Sequence, residues 1–348
     1  MTSKMKLKGV ILAAGFGKRM ADLTQHYPKP LLPIVNIPTL ERILLAYRDV
    51  GITEVLVITG YKAEEIESFC LDGARWGISI SYVRQTEVSG TGSAARLAAA
   101  FTSDTPFMLT YGDILLEPKE YSAVYDMFRS TKSFGVSALN RLEDISIGSA
   151  VTLDGQRIVR VVEKPTRETA ESNLNNAGLF IFTPDLFDAI DRTPISARGE
   201  YELTEAIQLS LAEDKKILAH IIDGVQYDIG TPEAYLESNT ALIPLFSTAM
   251  VSPEIISDNF ASPNLVLKEP VALSKDIEIE RCCIGPDVCV GNEVRIGHSS
   301  TIDHSVILPG ADIGDGVQLS YTIVAPNVSI DNRVFIQGTP DKVIVINN

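Results

Sequence analysis

Apolar and polar positions along about the first 240 residues follow two rhythms, one typical of buried strands and one typical of amphipathic helices. Short aliphatic runs such as Gly9–Ala14 and Glu54–Thr59 predict strands, and apolar residues at helical spacing within Leu40–Val50 predict a helix. Further strands are predicted at Ser79–Val83, Pro106–Thr110 and Phe134–Leu139, and further helices at Ala63–Phe69, Gly92–Phe101 and Ser122–Ser130. This alternation predicts an α/β domain with a mostly parallel sheet, which binds ligands in loops beyond the carboxyl ends of its strands.

Farther along the chain the pattern changes to an aliphatic residue at every sixth position. These residues are Ile284, Val290, Ile296, Ile302 and Leu308 and, after one five-residue step, Ile313, Leu319 and Ala325. Such repetition predicts a parallel β-helix, because each coil stacks its aliphatic side chains on those of the next, whereas an antiparallel sheet gives a period of two. We therefore predict a first domain at residues 1–243, a linker or short helix at 244–263 and a short β-helix at 264–348, which we interpret as an assembly or capping domain.

Composition limits the classes of partner. The chain has 348 residues, and 30 Lys and Arg against 45 Asp and Glu give a formal net charge of −15, which disfavours a nucleic-acid or anionic-lipid surface. An anionic ligand therefore needs a local group of cations. No apolar run approaches the roughly 18 residues that cross a membrane, and the N-terminus lacks the apolar core of a signal peptide. The four cysteines show no C-x-x-C spacing, so we expect neither a zinc site nor disulfides, and a cytoplasmic protein.

The loop after the first predicted strand combines glycine with basic residues. Gly15 and Gly17 allow the backbone to approach a phosphate group closely, and Lys18 and Arg19 follow at once. A dinucleotide fingerprint would need a third glycine three residues later, and a P-loop would need Ser or Thr after the lysine, so neither fits. Lys29 stands between two prolines that restrict the backbone on either side of this cation. A phosphate-binding loop is indicated, with a tight turn carrying solvated basic residues as the alternative.

The run Gly15-x-Gly17-x-Arg19-Met20 followed by Pro28-Lys29-Pro30-Leu31 resembles the signature of the sugar-1-phosphate nucleotidylyltransferases, also called nucleotide-sugar pyrophosphorylases. The resemblance implies a Rossmann-like nucleotidyltransferase domain followed by a left-handed β-helix. It also implies two catalytic residues: Arg19 would stabilise the departing pyrophosphate, and Lys29 would contact the α-phosphate. The residues implied to bind the nucleotide in this loop are Ala13, Gly15, Gly17 and Lys18. Lys18 departs from the Thr usual in the family, which leaves its role open.

Later stretches match the motifs of the same family in the expected order. Gln85 with Gly90 and Thr91 resembles the loop that reads a uracil or thymine edge, although this run could instead simply open a helix, with Thr91 or Ser93 as its N-cap. Asp113, after an apolar strand, and Asp228 match the two metal-binding Asp residues of the family and imply Mg²⁺, a cation that prefers oxygen ligands. A single Asp of this kind is more often a turn former, so the pair carries the inference.

The resemblance also implies a sugar-1-phosphate site built from three further stretches. Its residues are Gly148, Glu163, Lys164, Asn176 and Gly178. Glu163 would accept hydrogen bonds from sugar hydroxyls and Lys164 would pair with the sugar phosphate, whereas a surface ion pair between the two, worth little, is the alternative. The run 199–204 is expected to cap a helix near the sugar through its Glu and Thr side chains.

The resemblance implies that a sugar-1-phosphate oxygen attacks the α-phosphorus of a nucleoside triphosphate, releasing pyrophosphate and forming a nucleotide sugar. UTP or dTTP with a glucose-1-phosphate-like sugar is expected, and a guanylyltransferase acting on mannose-1-phosphate is an alternative. A non-catalytic regulatory or scaffold subunit is a second alternative, although such a chain is expected to lose residues that this one retains. An acetyl-transferring β-helix using His298 and His304 is disfavoured because the tail offers no clear acyl-CoA loop. We expect a homo-oligomer with no nucleic-acid or membrane partner.

Overall fold

A computed structural model describes residues 5–25, 27–166, 168–224, 226–250, 264–279 and 281–347. The chain forms two compact units, of which the first comprises Met1–Phe16 and Leu40–Tyr227 and the second Gly17–Thr39 and Asp228–Asn348. This division differs from the predicted limits at 243 and 264, because a change of pattern along the chain does not reveal that Gly17–Thr39 packs with residues beyond Tyr227.

The strands are β1 (Lys8–Ala13), β2 (Pro33–Ile34), β3 (Ile37–Pro38), β4 (Glu54–Thr59), β5 (Ser79–Arg84), β6 (Phe107–Tyr111), β7 (Ile114–Leu115), β8 (Gly135–Arg141), β9 (Ser149–Asp154), β10 (Arg157–Glu163), β11 (Leu174–Phe182), β12 (Ile217–Ile221), β13 (Tyr227–Asp228), β14 (Val266–Leu267), β15 (Val271–Leu273), β16 (Glu278–Ile279), β17 (Cys283–Ile284), β18 (Val288–Val290), β19 (Arg295–Ile296), β20 (Thr301–Asp303), β21 (Ser305–Ile307), β22 (Asp312–Ile313), β23 (Gln318–Ser320), β24 (Thr322–Val324), β25 (Ser329–Ile330), β26 (Phe335–Gln337) and β27 (Ile344–Ile346). The α-helices are α1 (Ala21–Thr24), α2 (Thr39–Asp49), α3 (Ala63–Cys70), α4 (Thr91–Arg96), α5 (Ala99–Thr102), α6 (Pro118–Thr131), α7 (Leu186–Arg192), α8 (Leu203–Ala212) and α9 (Pro232–Met250).

The first unit is built on a nine-stranded sheet of order β5-β4-β1-β6-β11-β8-β12-β10-β9. Strands β5, β4, β1 and β6 are mutually parallel, as predicted. The other half is mixed, because β11 runs antiparallel to both β6 and β8, and β10 runs antiparallel to β9 and β12. Only two residues, Gly155 and Gln156, join β9 to β10, and so short a connection can only link antiparallel strands.

The apolar residues at helical spacing in α2 form the face that packs against the sheet. Its four predicted apolar positions, Leu40, Ile43, Leu44 and Tyr47, are all fully buried. The Tyr47 ring fills the space that a side chain at Gly9 of β1 would need, and its hydroxyl lies 2.7 Å from Thr110 Oγ1. This contact seats the helix directly on the parallel half of the sheet.

In the second unit, β14 to β27 form three parallel sheets through which the chain winds repeatedly. Most strands pair with the strand seventeen residues farther on, as Val271 does with Val288 and Val288 with Ser305. All eight aliphatic residues of the predicted six-residue repeat are buried. The five-residue step between Leu308 and Ile313 fits this register, since two steps of six and one of five complete a coil of seventeen. The earlier coil from Ile284 to Ile302 has three steps of six and is one residue longer.

Segment Gly17–Thr39 is held in the second unit by buried polar contacts with α9 and the sheets. Asn239 Oδ1 accepts the Val35 N–H at 2.8 Å, and the Tyr235 hydroxyl donates to the Pro33 carbonyl at 2.5 Å. Asn36 Nδ2 donates to the Val290 carbonyl at 2.9 Å. Helix α9 covers the first part of the predicted linker, and residues 251–263 lie outside the described residues. Across the described ranges, no helix is both long enough and apolar enough to cross a membrane.

Candidate functional site

Three predicted site residues of the first unit lie at the carboxyl ends of parallel strands. Ala13 ends β1, Gln85 follows β5 and Asp113 lies just beyond β6. The strand registers place these ends at one edge of the sheet, and the Gly112 N–H donates to the Leu12 carbonyl at 2.8 Å. This is the edge at which sheets of this type bind ligands.

Gly15 lies in the exposed loop that follows β1. A Cβ atom at this position would meet no protein atom within 4 Å, so packing within the protein does not account for the glycine. Close approach of a ligand to the backbone, the reason predicted from the sequence, remains a prediction.

The basic residues of the predicted phosphate loop belong to the second unit. Gly17 adopts a left-handed φ of +61°, and a Cβ there would lie 3.4 Å from Lys29 Cβ, so the two motif residues pack together. Lys18 and Arg19 are exposed in a 3-10 turn that Met20 anchors in the core, and the Met20 N–H donates to the Gly17 carbonyl at 2.8 Å. Lys29, only 8% exposed, begins a second 3-10 turn.

The loop predicted to recognise a base is folded around Gln85. Gln85 Nε2 donates to the Gly90 carbonyl at 3.3 Å and to Ser93 Oγ at 3.0 Å. Gly90 has φ +117°, and a Cβ there would overlap the carbonyl of Tyr201, so only glycine fits. Thr91 does not cap its own helix: its Oγ1 accepts the Leu203 N–H at 3.0 Å and so caps α8.

The expectation for the run 199–204 is corrected in one respect. Glu202 is the N-cap residue of α8, but its side chain makes no capping hydrogen bond, and the first helical N–H, that of Leu203, is satisfied by Thr91 instead. Thr204 instead donates from Oγ1 to Glu163 Oε2 at 3.1 Å. This segment therefore joins the base loop to the predicted sugar residues, a link that depends on residues more than a hundred positions apart.

Tyr111, which the sequence analysis did not single out, joins several predicted residues. Its hydroxyl lies close to Thr91, and burial raises its pKa well above the usual range, so it stays protonated. Gly178 packs against its ring: with φ +76°, a Cβ there would lie 3.0 Å from Tyr111 Cδ2 and 2.6 Å from Ile114 Cδ1. A lone tyrosine at the end of an apolar strand gives no sign of this role in the sequence.

The predicted sugar residues lie in the first unit, with Asn176 in β11 and Gly148, Glu163 and Lys164 at the ends of β9 and β10. Asn176 is 7% exposed, its Oδ1 accepts from Ser137 Oγ at 3.0 Å, and its Nδ2 has no hydrogen-bond partner among the described residues. A buried amide donor without a partner is costly, and a ligand oxygen would relieve this cost. The Lys164 N–H donates to the Gly148 carbonyl at 2.8 Å, so these two predicted residues are held together.

Glu163 is held more closely through one carboxylate oxygen than through the other. Its Oε2 accepts hydrogen bonds from Ser149 Oγ at 2.6 Å and from Thr204, while Oε1 lies 3.7 Å from Arg198 Nη1. Arg198 pairs more closely with Glu202, at 3.0 Å. Arg198 was not predicted from the sequence, although a basic residue in an otherwise acidic run was a signal. The predicted surface alternative, an ion pair between Glu163 and the adjacent lysine, is not among the described salt bridges.

Of the two predicted metal-binding residues, Asp113 has a described side chain. Asp113 lies half-buried at the sheet edge, and the side chain of Asp228, in β13, is outside the described side chains. Among the described residues, no three or more His, Cys, Asp or Glu side chains form a cluster able to hold a metal. Mg²⁺ commonly uses one or two carboxylates and completes its shell with water and substrate phosphates, so the oxygen donor of Asp113 suits it.

A cavity of about 630 Å³ in the second unit contains none of the predicted site residues. Its acidic lining residues are Glu233, Glu237, Asp287 and Asp341. Four carboxylates repel phosphate groups, so this cavity does not suit a nucleotide or a sugar phosphate.

Residues 8–243 match the family model described as "Nucleotidyl transferase". The chain belongs to this family. The predicted Rossmann-like nucleotidyltransferase domain and the resemblance to sugar-1-phosphate nucleotidylyltransferases are thereby confirmed. Residues 267–346 match a second model, described as "GMPPB C-terminal domain".

Similar proteins carry related names. The "Low-salt glycan biosynthesis nucleotidyltransferase Agl11" of Haloferax volcanii is 36% identical over 242 residues, which cover 68% of this chain and 66% of Agl11. A "Glucose-1-phosphate thymidylyltransferase" of Streptomyces antibioticus is 28% identical over 362 residues, covering 97% and 99% of the two chains. The crystal structure of a UDP-glucose pyrophosphorylase complexed with UDP-glucose has a TM-score of 0.63 and 26% identity, covering 69% of this chain and all of that one.

Proposed function

We propose that this chain transfers a nucleoside monophosphate from a nucleoside triphosphate to a sugar-1-phosphate, with release of pyrophosphate. The observation that carries the proposal is the unpartnered, buried Nδ2 of Asn176, a donor that suits a sugar oxygen and that follows Asn175, the residue in contact with Gly148 and Ser149. Membership of the nucleotidyl transferase family and the names of similar proteins support the same reaction.

The sugar phosphate is ionised near neutrality, so the reaction needs no protein nucleophile. Catalysis then consists of positioning two substrates and neutralising their charges. Like charges 4 Å apart repel by about 4 kcal/mol at an effective dielectric constant near 20. Arg19 would stabilise the departing pyrophosphate, Lys29 the α-phosphate and Lys164 the sugar phosphate, which offsets this repulsion in a chain of net charge −15.

Divalent metal use fits this chemistry, and we propose Mg²⁺. Asp113 and Asp228 would hold it, and when bound it would supply positive charge next to the phosphates. The part-buried carboxylate of Asp113 beyond β6 supports this assignment.

Substrate selection is proposed to rest on two groups of residues. Gln85, whose Nε2 is engaged within its own loop, would present Oε1 to an N–H group of a pyrimidine, which favours UTP or dTTP. The two bases differ by one methyl group, worth about 1–3 kcal/mol in a pocket. On the sugar side, Glu163 Oε1 would accept from a hydroxyl and Asn176 Nδ2 would donate, which fits a glucose-1-phosphate-like sugar.

We also propose that the three parallel sheets of the second unit form a left-handed parallel β-helix that contributes to a homo-oligomer. The seventeen-residue register and the buried aliphatic ladder support the β-helix. Sedimentation of the purified chain tests the oligomer, and a monomer at all concentrations contradicts it.

The reaction is tested by measuring pyrophosphate release with Mg²⁺ across a grid of nucleoside triphosphates and hexose-1-phosphates. We expect a sharp signal with UTP or dTTP and glucose-1-phosphate or a close relative. A signal restricted to GTP and mannose-1-phosphate supports the guanylyltransferase alternative. A folded chain that neither reacts nor binds any triphosphate supports the scaffold alternative.

Lys29→Ala tests the catalytic role proposed for Lys29. We expect kcat/KM to fall by about 10²- to 10³-fold, because one preorganised cation at the reacting phosphate is removed. The matched control is Lys275→Ala, an exposed lysine of the same unit, whose kcat/KM should stay within twofold of wild type. Near wild-type turnover of Lys29→Ala, with the chain folded, contradicts the assigned role.

A further inference from the structure

The predicted sugar residues rest on a buried amide, Asn175 of β11, that is 7% exposed. Asn175 Oδ1 accepts the Ser149 N–H at 2.7 Å. Asn175 Nδ2 donates to Asn140 Oδ1 at 2.9 Å and to the Asn176 carbonyl at 2.8 Å. The registers that pair Asn175 with Asn140 of β8 and with Ala150 of β9 bring these groups together. Both polar atoms of this side chain are therefore satisfied within the protein.

Apart from the bond to Asn140, each contact of Asn175 leads to a predicted sugar residue. Ser149, whose N–H it holds, donates from Oγ to Glu163 Oε2. Asn175 Oδ1 also occupies the space that a Cβ at Gly148 would need, so it sets the path of the backbone there. Asn176, whose carbonyl it holds, presents the unpartnered amide donor. One side chain thus contacts Gly148 and Asn176 directly, and it contacts Glu163 through Ser149.

We propose that Asn175 is a positioning residue for the sugar-1-phosphate, an inference that rests on the function proposed above. It contacts Gly148, the carbonyl of Asn176 and the amide of Ser149, and it acts on the substrate only through these groups. Small displacements of such groups reduce binding and rate strongly, because productive contacts tolerate shifts of only a fraction of an ångström. Loss of the amide leaves the Ser149 N–H and Asn140 Oδ1 without this partner and removes the bond to the Asn176 carbonyl. The backbone of Asn176 and the Ser149 support of Glu163 are thereby loosened.

Asn175→Ala tests the role by its selectivity. We expect the KM for the sugar-1-phosphate to rise at least tenfold while the KM for the nucleoside triphosphate stays within twofold. Asn173→Ala, an exposed asparagine two residues earlier, is the matched control and should change neither value. Tyr47→Phe, which removes a buried hydroxyl elsewhere in the first unit, controls for a general loss of stability and should leave the ratio of the two KM values unchanged.

Amide hydrogen exchange of the ligand-free protein provides the second measurement. The Ser149 amide should exchange at least tenfold faster in Asn175→Ala than in wild type, because its acceptor is lost. An active wild type with an unchanged KM ratio in Asn175→Ala, or with unchanged Ser149 exchange, overturns only the positioning role. A wild type that makes no nucleotide sugar overturns the proposed function, and the sugar role of Asn175 with it.

Discussion

At the scale of single residues, this chain uses buried polar side chains to join parts of a site that are far apart in sequence. Thr91 caps a helix that begins at Leu203, and Thr204 binds the carboxylate of Glu163. Composition and spacing show which residue types are present, but they do not show these pairings. The structural reason for the glycines is easier to infer from the sequence. Gly90 and Gly178 adopt conformations that other residues rarely adopt, and a Cβ at either position would clash with its neighbours.

Glu202 makes the stability of the protein depend on pH. Burial, together with the charge of Glu163, raises the pKa of the Glu202 carboxyl above its usual value of 4.5 although Arg198 lowers it. The folded protein therefore binds this proton more readily than the unfolded chain does. The resulting contribution to stability is fully present below about pH 4.5 and is lost as the pH rises through the raised pKa.

Glu202→Gln, which stays neutral, should remove this dependence. The free energy of unfolding of the variant minus that of wild type is expected to increase as the pH rises from 4 to 7, measured by chemical denaturation. Glu200→Gln, a neighbour in the same loop, is the control for a change of charge alone. A difference for Glu202→Gln that stays constant over this range would contradict the assignment.

At the scale of elements, helix α2 is seated on the sheet by a tyrosine as well as by apolar contacts. The Tyr47 hydroxyl donates to the backbone carbonyls of Val10 and Met108, at 3.0 and 3.1 Å, or to Thr110 Oγ1. One buried hydroxyl of α2 therefore contacts both β1 and β6. The helical spacing predicts that this position faces the core, but the polar contact depends on which strands become neighbours.

Tyr47→Phe should lower the free energy of unfolding by about 1–3 kcal/mol, since buried acceptors lose their donor. The measurement is chemical denaturation at neutral pH. Tyr125→Phe is the matched control, because among the described residues its hydroxyl reaches only the Met5 carbonyl, at 3.5 Å, and the change should cost less. An equal loss in both variants would show that the shared hydroxyl of Tyr47 adds nothing.

At the scale of the whole molecule, the segment that carries Arg19 and Lys29 belongs to the unit that contains the three parallel sheets. Asn36 links it to them, donating from Nδ2 to the Val290 carbonyl at 2.9 Å and to the Ala272 carbonyl at 3.5 Å. This arrangement gives the repeat domain a part in holding the proposed phosphate residues, beyond the assembly or capping role predicted from the repeat.

Asn36→Gly removes these bonds without imposing strain, because Asn36 has φ +61°, a conformation that glycine adopts readily. We expect the free energy of unfolding to fall by about 1 kcal/mol, and the Kd for the nucleoside triphosphate to rise, measured by calorimetry. Arg333→Gly, at an exposed turn with the same φ, is the control. A variant that binds the triphosphate as wild type does contradicts the link.

The sequence by itself determined the local elements, the family and the buried ladder of the repeat. Each of these features follows from a short-range pattern in the sequence. The helical spacing predicts that Leu40 and Tyr47 are buried, and the six-residue period predicts the same for Ile284 and Ile302, as the structure shows. The signature around Arg19 and Lys29 was sufficient to indicate the family. These features are encoded within a few neighbouring positions, so they can be read without knowing the fold.

Only the tertiary structure decided which of these residues touch. It made half of the main sheet mixed, assigned Gly17–Thr39 to the second unit, and placed Asn175 beneath the predicted sugar residues. These outcomes depend on strand order and register, which bring together groups tens to hundreds of residues apart. Hydrogen bonds and close packing act over a few ångströms in space, and sequence separation carries little information about such distances.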